Sequence, residues 1–135
     1  MRQSTISISR TMPISLAFRE PSTFVLRASG AVTYEEAINA FAEIQSHPRL
    51  GENVGILVDG VTVDGVPSTP ELRRIAWALR PLRASGVPAM AIVTSNTFVY
   101  GVARMFSVFA EPSGVNVSAF RDLDEAQRWL LTETS

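Results

Sequence analysis

The sequence has no cysteine, no lysine, one histidine and no long apolar run. Without cysteine there is no disulfide, no thiol nucleophile and no thiolate metal site, and the redox compartment stays undetermined. Without lysine there is no phosphate-binding P-loop, and Gly60 and Gly65 do not stand in the G-x-x-x-x-G-K-[ST] pattern. All twelve basic residues are arginine, against thirteen acidic ones, for a formal charge of −1. The missing lysines read as a genomic composition bias, and the balanced charge gives no electrostatic argument for nucleic acid. A single histidine cannot supply the nitrogen and sulfur ligands that zinc takes. His47 stands beside Pro48 at the end of a helical pattern, the usual setting of a surface residue. No run approaches the ~20 apolar residues of a membrane span. Met1–Met12 lacks the apolar centre of a signal peptide, so the cytoplasm is the expected compartment.

What is present is the composition of a soluble globular chain, 46% apolar and 19% charged, at a length of 135 residues that suits one domain. Met1–Met12 reads as a tail, or as an edge strand that forms against a partner, because Ile6 and Ile8 alternate with serines. Residues 13–132 read as a single domain. From Ile14 the pattern alternates: Ile14, Leu16 and Phe18 on one side, Ser15, Ala17 and Arg19 on the other. After the turn Glu20–Thr23 a second strand follows over Phe24–Ala28, and the short connection predicts an antiparallel pair.

Gly30 closes the hairpin. Thr33 and Glu36 stand at capping-box spacing, and Tyr34, Ala37, Ile38, Phe41 and Ile44 recur at helical spacing behind them. Val54–Val58 is apolar on both faces, as suits a central parallel strand, and Asp59-Gly60 is expected to stop it before a loop over Val61–Pro67. Ser68 and Glu71 form a second capping box, with Leu72, Ile75, Ala76 and Leu79 as the buried stripe and Pro81 as the point where the helix kinks or ends. Pro88–Thr94 reads as another buried strand. Ser95-Asn96 caps a third helix whose core face is expected at Phe98, Gly101, Val102, Met105 and Phe109. Val115–Phe120 is the last strand, and Asp122 with Glu125 caps a closing helix carrying Ala126, Trp129 and Leu130.

The order is β-β-α-β-α-β-α-β-α. Alternation of strands and helices predicts an α/β fold with a mostly parallel sheet and an antiparallel N-terminal hairpin. Sites in such sheets gather beyond the carboxyl ends of the strands, here Asp59–Ser68, Thr94–Thr97 and Phe120–Asp122.

Several stretches together carry a family resemblance. They are Gly30-x-x-Thr33-x-x-Glu36, Ile56-Leu57-Val58-Asp59, Ala91-Ile92-Val93, Tyr100–Phe106, and Phe120-Arg121-Asp122 with the following Asp124-Glu125-Ala126-x-x-Trp129-Leu130. From about Ile14 to Leu131 the chain resembles the SpoIIAA-like group, whose members carry a STAS-type domain, and within it the branch often called STAS/SEC14-like. None of the motifs is a catalytic signature. The resemblance implies the SpoIIAA-like fold, a non-catalytic interaction or regulatory role in a bacterial setting, and no cofactor. Phosphorylatable members carry Asp-Ser-x-Gly where the loop after the central strand enters the next helix. This chain reads Pro67-Ser68-Thr69-Pro70 there, so the hydroxyls of Ser68 and Thr69 are kept while the acidic residue and the glycine are replaced by prolines. Read from the residues alone, Ser68 is an N-cap worth about 1 kcal/mol.

Other candidates follow from residue chemistry. Asp59 and Asp64 could share a loop and, with Asp122 or Asp124, meet a hard cation, but they lack calcium-loop spacing and read as solvated carboxylates. Trp77 points away from the stripe of its helix, beside Arg73 and Arg80, a composition found at interface hot spots. The domestic alternative has it stacked on Arg73. Val99, Ala103 and Phe106 form a second apolar stripe on the third helix, expected to face a partner. That partner is expected to be a second copy of the chain or another protein. The rival reading is a carrier or sensor of a small apolar ligand, with a pocket lined by Met105, Phe106 and Phe109.

Overall fold

The computed structural model describes residues 14–135, and the reading of Met1–Met12 lies outside them. Strands β1 (Ile14–Arg19) and β2 (Thr23–Ala31) lead into helix α1 (Tyr34–Gln45) and strand β3 (Gly55–Gly65). Helices α2 (Thr69–Trp77) and α3 (Arg80–Ala84), strand β4 (Ala89–Val93) and helix α4 (Thr97–Phe109) follow. A short 3-10 turn over Glu111–Ser113, strand β5 (Asn116–Phe120) and helix α5 (Leu123–Thr134) complete the chain. The sheet runs β1-β2-β3-β4-β5, antiparallel between β1 and β2 and parallel elsewhere. This is the expected α/β architecture.

The alternation read in β1 is the one observed, with Ile14, Leu16 and Phe18 half-buried and Ser15, Ala17 and Arg19 exposed. On one face of the sheet Phe24, Leu26, Ile56 and Met90 meet Phe41 and Ile44 of α1, Leu72 and Ile75 of α2, Leu82 of α3 and Phe106 of α4. On the other, Val25, Leu57, Ala89, Ala91 and Val93 meet Ala126 and Leu130 of α5. Phe24–Leu26, Ile56–Val58 and Ala89–Val93, the middle stretches of β2, β3 and β4, have packing on both faces, which is why they run apolar without a gap.

Local signals account for the helix ends. Thr33 and Ser68 each form the full reciprocal capping box, with Glu36 and Glu71. Asn96 caps α4, its Oδ1 accepting the Val99 N–H at 3.0 Å. Asp122 departs from expectation, because its side chain makes no cap hydrogen bond. Pro81 separates α2 from α3 and sits in the first turn of α3, where a missing N–H costs nothing.

Two strand boundaries also differ. β3 does not stop at Asp59-Gly60 but runs on to Gly65, and β2 runs on beside it to Ala31. The extension survives the loss of apolar pattern because its backbone groups are paired, Ser29 against Thr62, Gly30 against Val63 and Ala31 against Gly65. Register shifts flank Ser29–Gly30, and Gly30 takes φ 64°, which a side chain would strain.

Candidate functional site

The helical layer on the first face does not close. Val58 and Ile92 are register partners in the interior of the sheet, yet both are only half-buried. Over them lies an apolar pocket of about 150 Å3 between β2, β3, β4, α1, α2 and α4. Small side chains make the space: Ala28 and Gly60 from the sheet, Ala37 and Ala40 from α1, Ala103 from α4. Val32, Val66, Pro67 and Val102 also line it and are half-buried, marking the side that reaches solvent. The extended part of β3 contributes Gly60 and Val63, so the departure of that strand from its expected end builds one wall.

Helix α4 is turned about its axis relative to the sequence reading. Val99, Ala103 and Phe106 are 5%, 5% and 6% exposed and belong to the core, while Phe98, placed in the core from sequence, is 67% exposed. The stripe expected to meet a partner therefore lines the pocket instead. Both stripes are apolar, so composition does not fix the phase. It is set by the connection, in which β4 passes directly into the Asn96 cap. Of the residues expected to line a pocket, Phe106 does so; Met105 and Phe109 sit half-buried outside it.

The remaining candidates stay on the surface and apart from the pocket's apolar lining. Trp77 is 67% exposed and carries the Arg80 guanidinium 4.1 Å from its ring centre, not that of Arg73. Arg73 instead lies 4.2 Å over Phe109. Ser68 is exposed; its N–H donates to Glu71 Oε1 at 2.9 Å and its Oγ accepts the Glu71 N–H at 3.4 Å. The Ser68 N–H and, at 3.1 Å, its hydroxyl both donate to Glu71 Oε1, and these two bonds hold the Glu71 carboxyl below its ordinary pKa. Thr69 is exposed at the first turn of α2.

Asp59 and Asp64 do not share a loop: both lie in β3. Asp59 is 3.7 Å from Arg27 Nε and accepts the Val61 N–H, and Asp64 is exposed. Among the described residues no group of three or more His, Asp or Glu is placed to hold a metal ion. His47 is half-buried, stacked on Phe18 and edge-on to Phe24, with Nδ1 accepting the Arg49 N–H at 3.0 Å. No helix among the described residues is long and apolar enough to cross a membrane.

The family model described as SpoIIAA-like matches residues 23–131. The chain belongs to the SpoIIAA-like family. Among solved structures, this SpoIIAA-like chain is similar to an uncharacterized protein of the DUF3478 family with a SpoIIAA-like fold from Shewanella loihica PV-4. The two are 19% identical, the likeness covers 87% of this chain and 91% of that one, and the TM-score is 0.55. At that identity the likeness speaks for the fold. No curated protein matches the chain.

Most of the pocket's lining carries a signal in the sequence beyond Phe106. Ala28, Ala37, Ala40, Gly60 and Ala103 fall at core-facing positions of four elements, β2, α1, β3 and α4. Small residues that face one another across a core leave volume unless a larger neighbour reaches in.

Proposed function

We propose that this SpoIIAA-like domain is a non-catalytic binding module, and that the occupant of its pocket is a small apolar molecule. The observation that carries this reading is the half-burial of Val58 and Ile92 in the interior of the sheet. Their apolar surface, left uncovered by the helices, gains from any apolar group that displaces water from it. A closed apolar cavity of about 150 Å3 takes up benzene, which sets the scale of this more open pocket at one small ring. A fatty acid, with its long chain, exceeds that scale. The test is styrene binding followed by chemical shifts of the Val58, Ile92 and Phe106 side chains. At a hundredfold excess over its dissociation constant a bound ligand stabilises the native state by about 2.7 kcal/mol, readable as a raised Tm. No shift of these groups at saturating styrene overturns the reading.

A second reading, assembly with another copy or another protein, is favoured by Trp77 and Phe98, both 67% exposed. It is separate from the pocket. Light scattering at low micromolar concentration on the wild type and on Phe98→Glu tests it, and a dimer split by that substitution supports it. A monomer in both removes α4 from any self-association surface. The exposed hydroxyl of Ser68 is the place of a proposed Ser/Thr switch, and a phosphate there would have to displace the Glu71 carboxylate that Ser68 already holds.

A further inference from the structure

β1 enters the sheet beside the open side of the pocket. It is antiparallel to β2 and begins at Ile14, opposite Ala28, so the chain ahead of it comes from the carboxyl ends of β2, β3 and β4. Ile14 and Ala28 both line the pocket there. Around buried Ala28, Val63 and Val99, the side chains of Ile14, Val32 and Val66 are left half-buried. β2 does not end with its Ile14 pair. It runs three residues further, Ser29 to Ala31, and among the described residues only β3 pairs with this stretch. The register of β1 on β2, carried two residues back from Ile14, sets Met12 opposite Gly30, which is itself paired with Val63 on its other side. Alternation along a strand gives Met12 the face of Ile14, which is the pocket's. There is room in that row, because a Cβ on Gly30 would meet nothing within 4 Å. Methionine suits an irregular apolar gap, being unbranched and adaptable. Ahead of Pro13 the sequence is rich in Ser, Thr and Arg, and Met12 is its apolar side chain nearest to β1.

We propose that the segment ahead of β1 extends that strand along β2 and seats Met12 in the mouth of the pocket, against Ile14, Val63 and Val66. Met12 is then an occupant from within the chain, which a small apolar ligand must displace. This contact presupposes the pocket read above and adds a competitor to it. A site that its own chain fills binds a guest with an affinity lowered to the fraction of molecules that stand open.

Styrene binding to the wild type, Met12→Ser and Met12→Leu, at low micromolar protein, makes the test. Met12→Ser removes the apolar occupant and is expected to bind styrene about five- to tenfold more tightly, while Met12→Leu stays within about twofold of the wild type. In the ligand-free wild type the Met12 methyl is expected to show nuclear Overhauser contacts with the methyls of Val63 and Val66, and saturating styrene removes them. Equal affinities in all three proteins, equal gains in the two variants, or absence of the methyl contacts overturns the Met12 assignment while leaving the pocket standing. Failure of all three proteins to bind styrene overturns the pocket and the assignment together. A gain in Met12→Ser that appears only above the low micromolar range gives the mouth to the segment of a second copy, and overturns the contact within the chain.

Discussion

Against one face of the sheet, Leu130 of α5 fits so closely that a Cβ on Gly55 would stand 2.9 Å from its Cγ. Against the other, three helices leave Val58 and Ile92 half-buried under a pocket of about 150 Å3. The difference lies in how each layer is made. A single helix on the second face packs with one stripe and no seam. The first face is roofed by several helices from different parts of the chain, and seams between helices close only where long side chains reach across them. Here alanines stand at the seam, so the sheet is tightly packed where α5 covers β3 and β4 and receptive on its other face.

The largest way to break this contrast is to put charge into the roof. Phe106→Glu buries a carboxylate among apolar side chains and is expected to cost more than about 4 kcal/mol. Phe98→Glu, on the exposed side of the same helix, is expected to stay within about 0.5 kcal/mol of wild type. Urea denaturation of the two variants measures both. Under α5, Gly55→Ala drives a methyl into Leu130 and is expected to destabilise by about 1–3 kcal/mol. In a Leu130→Ala background the same change should cost less, so the double-mutant cycle reports the close fit directly.

Filling tests the receptive side. Ala103→Leu places atoms in the pocket and is expected to stabilise by about 0.5–2 kcal/mol while abolishing styrene binding, as thermal melts with and without styrene would report. Destabilisation instead would mean that the space is already committed. The smallest effect concerns the cap at the start of α2. The Glu71 carboxyl titrates below its ordinary value in the folded protein because Ser68 donates to its charged form. Its contribution is therefore present above the ordinary carboxylate pKa of about 4.3 and is lost as pH falls through the depressed folded value. Glu71→Gln should flatten the corresponding part of the acid limb of a stability–pH curve, and an unchanged limb would mean the cap does not couple to stability.

Much of this arrangement is legible in the residues. The strand and helix order follows from the two-residue and helical periodicities, from the Thr33–Glu36 and Ser68–Glu71 boxes, and from Pro81. The length of β3 is not legible, because Asp59-Gly60 ends the apolar pattern while pairing with β2 is a backbone matter that side chains do not announce. The phase of α4 is hidden for another reason. Phe98, Val102 and Met105 compete with Val99, Ala103 and Phe106 on equal terms of apolarity, and the short turn from Thr94 to Asn96 decides between them. The pocket depends on both of these, since one wall is the extended β3 and another is the inward stripe of α4. Trp77 is an exposed ring beside arginines, and which arginine covers it depends on the break before Pro81, which brings Arg80 rather than Arg73 over the ring.

The far end of β3 has a dynamic consequence. From Ile56 to Asp59 the strand is held on both sides, by β2 and by β4; from Thr62 to Gly65, among the described residues, only β2 pairs with it, across two register shifts. Amide protons in that outer stretch are expected to exchange with solvent through local fraying, long before global unfolding exposes Ile56–Val58. Val63 lines the pocket from this stretch and Val66 from just beyond it, so that wall can breathe while the floor under Val58 and Ile92 holds still. A guest would then exchange on the timescale of a fraying hairpin end, not on that of the domain coming apart.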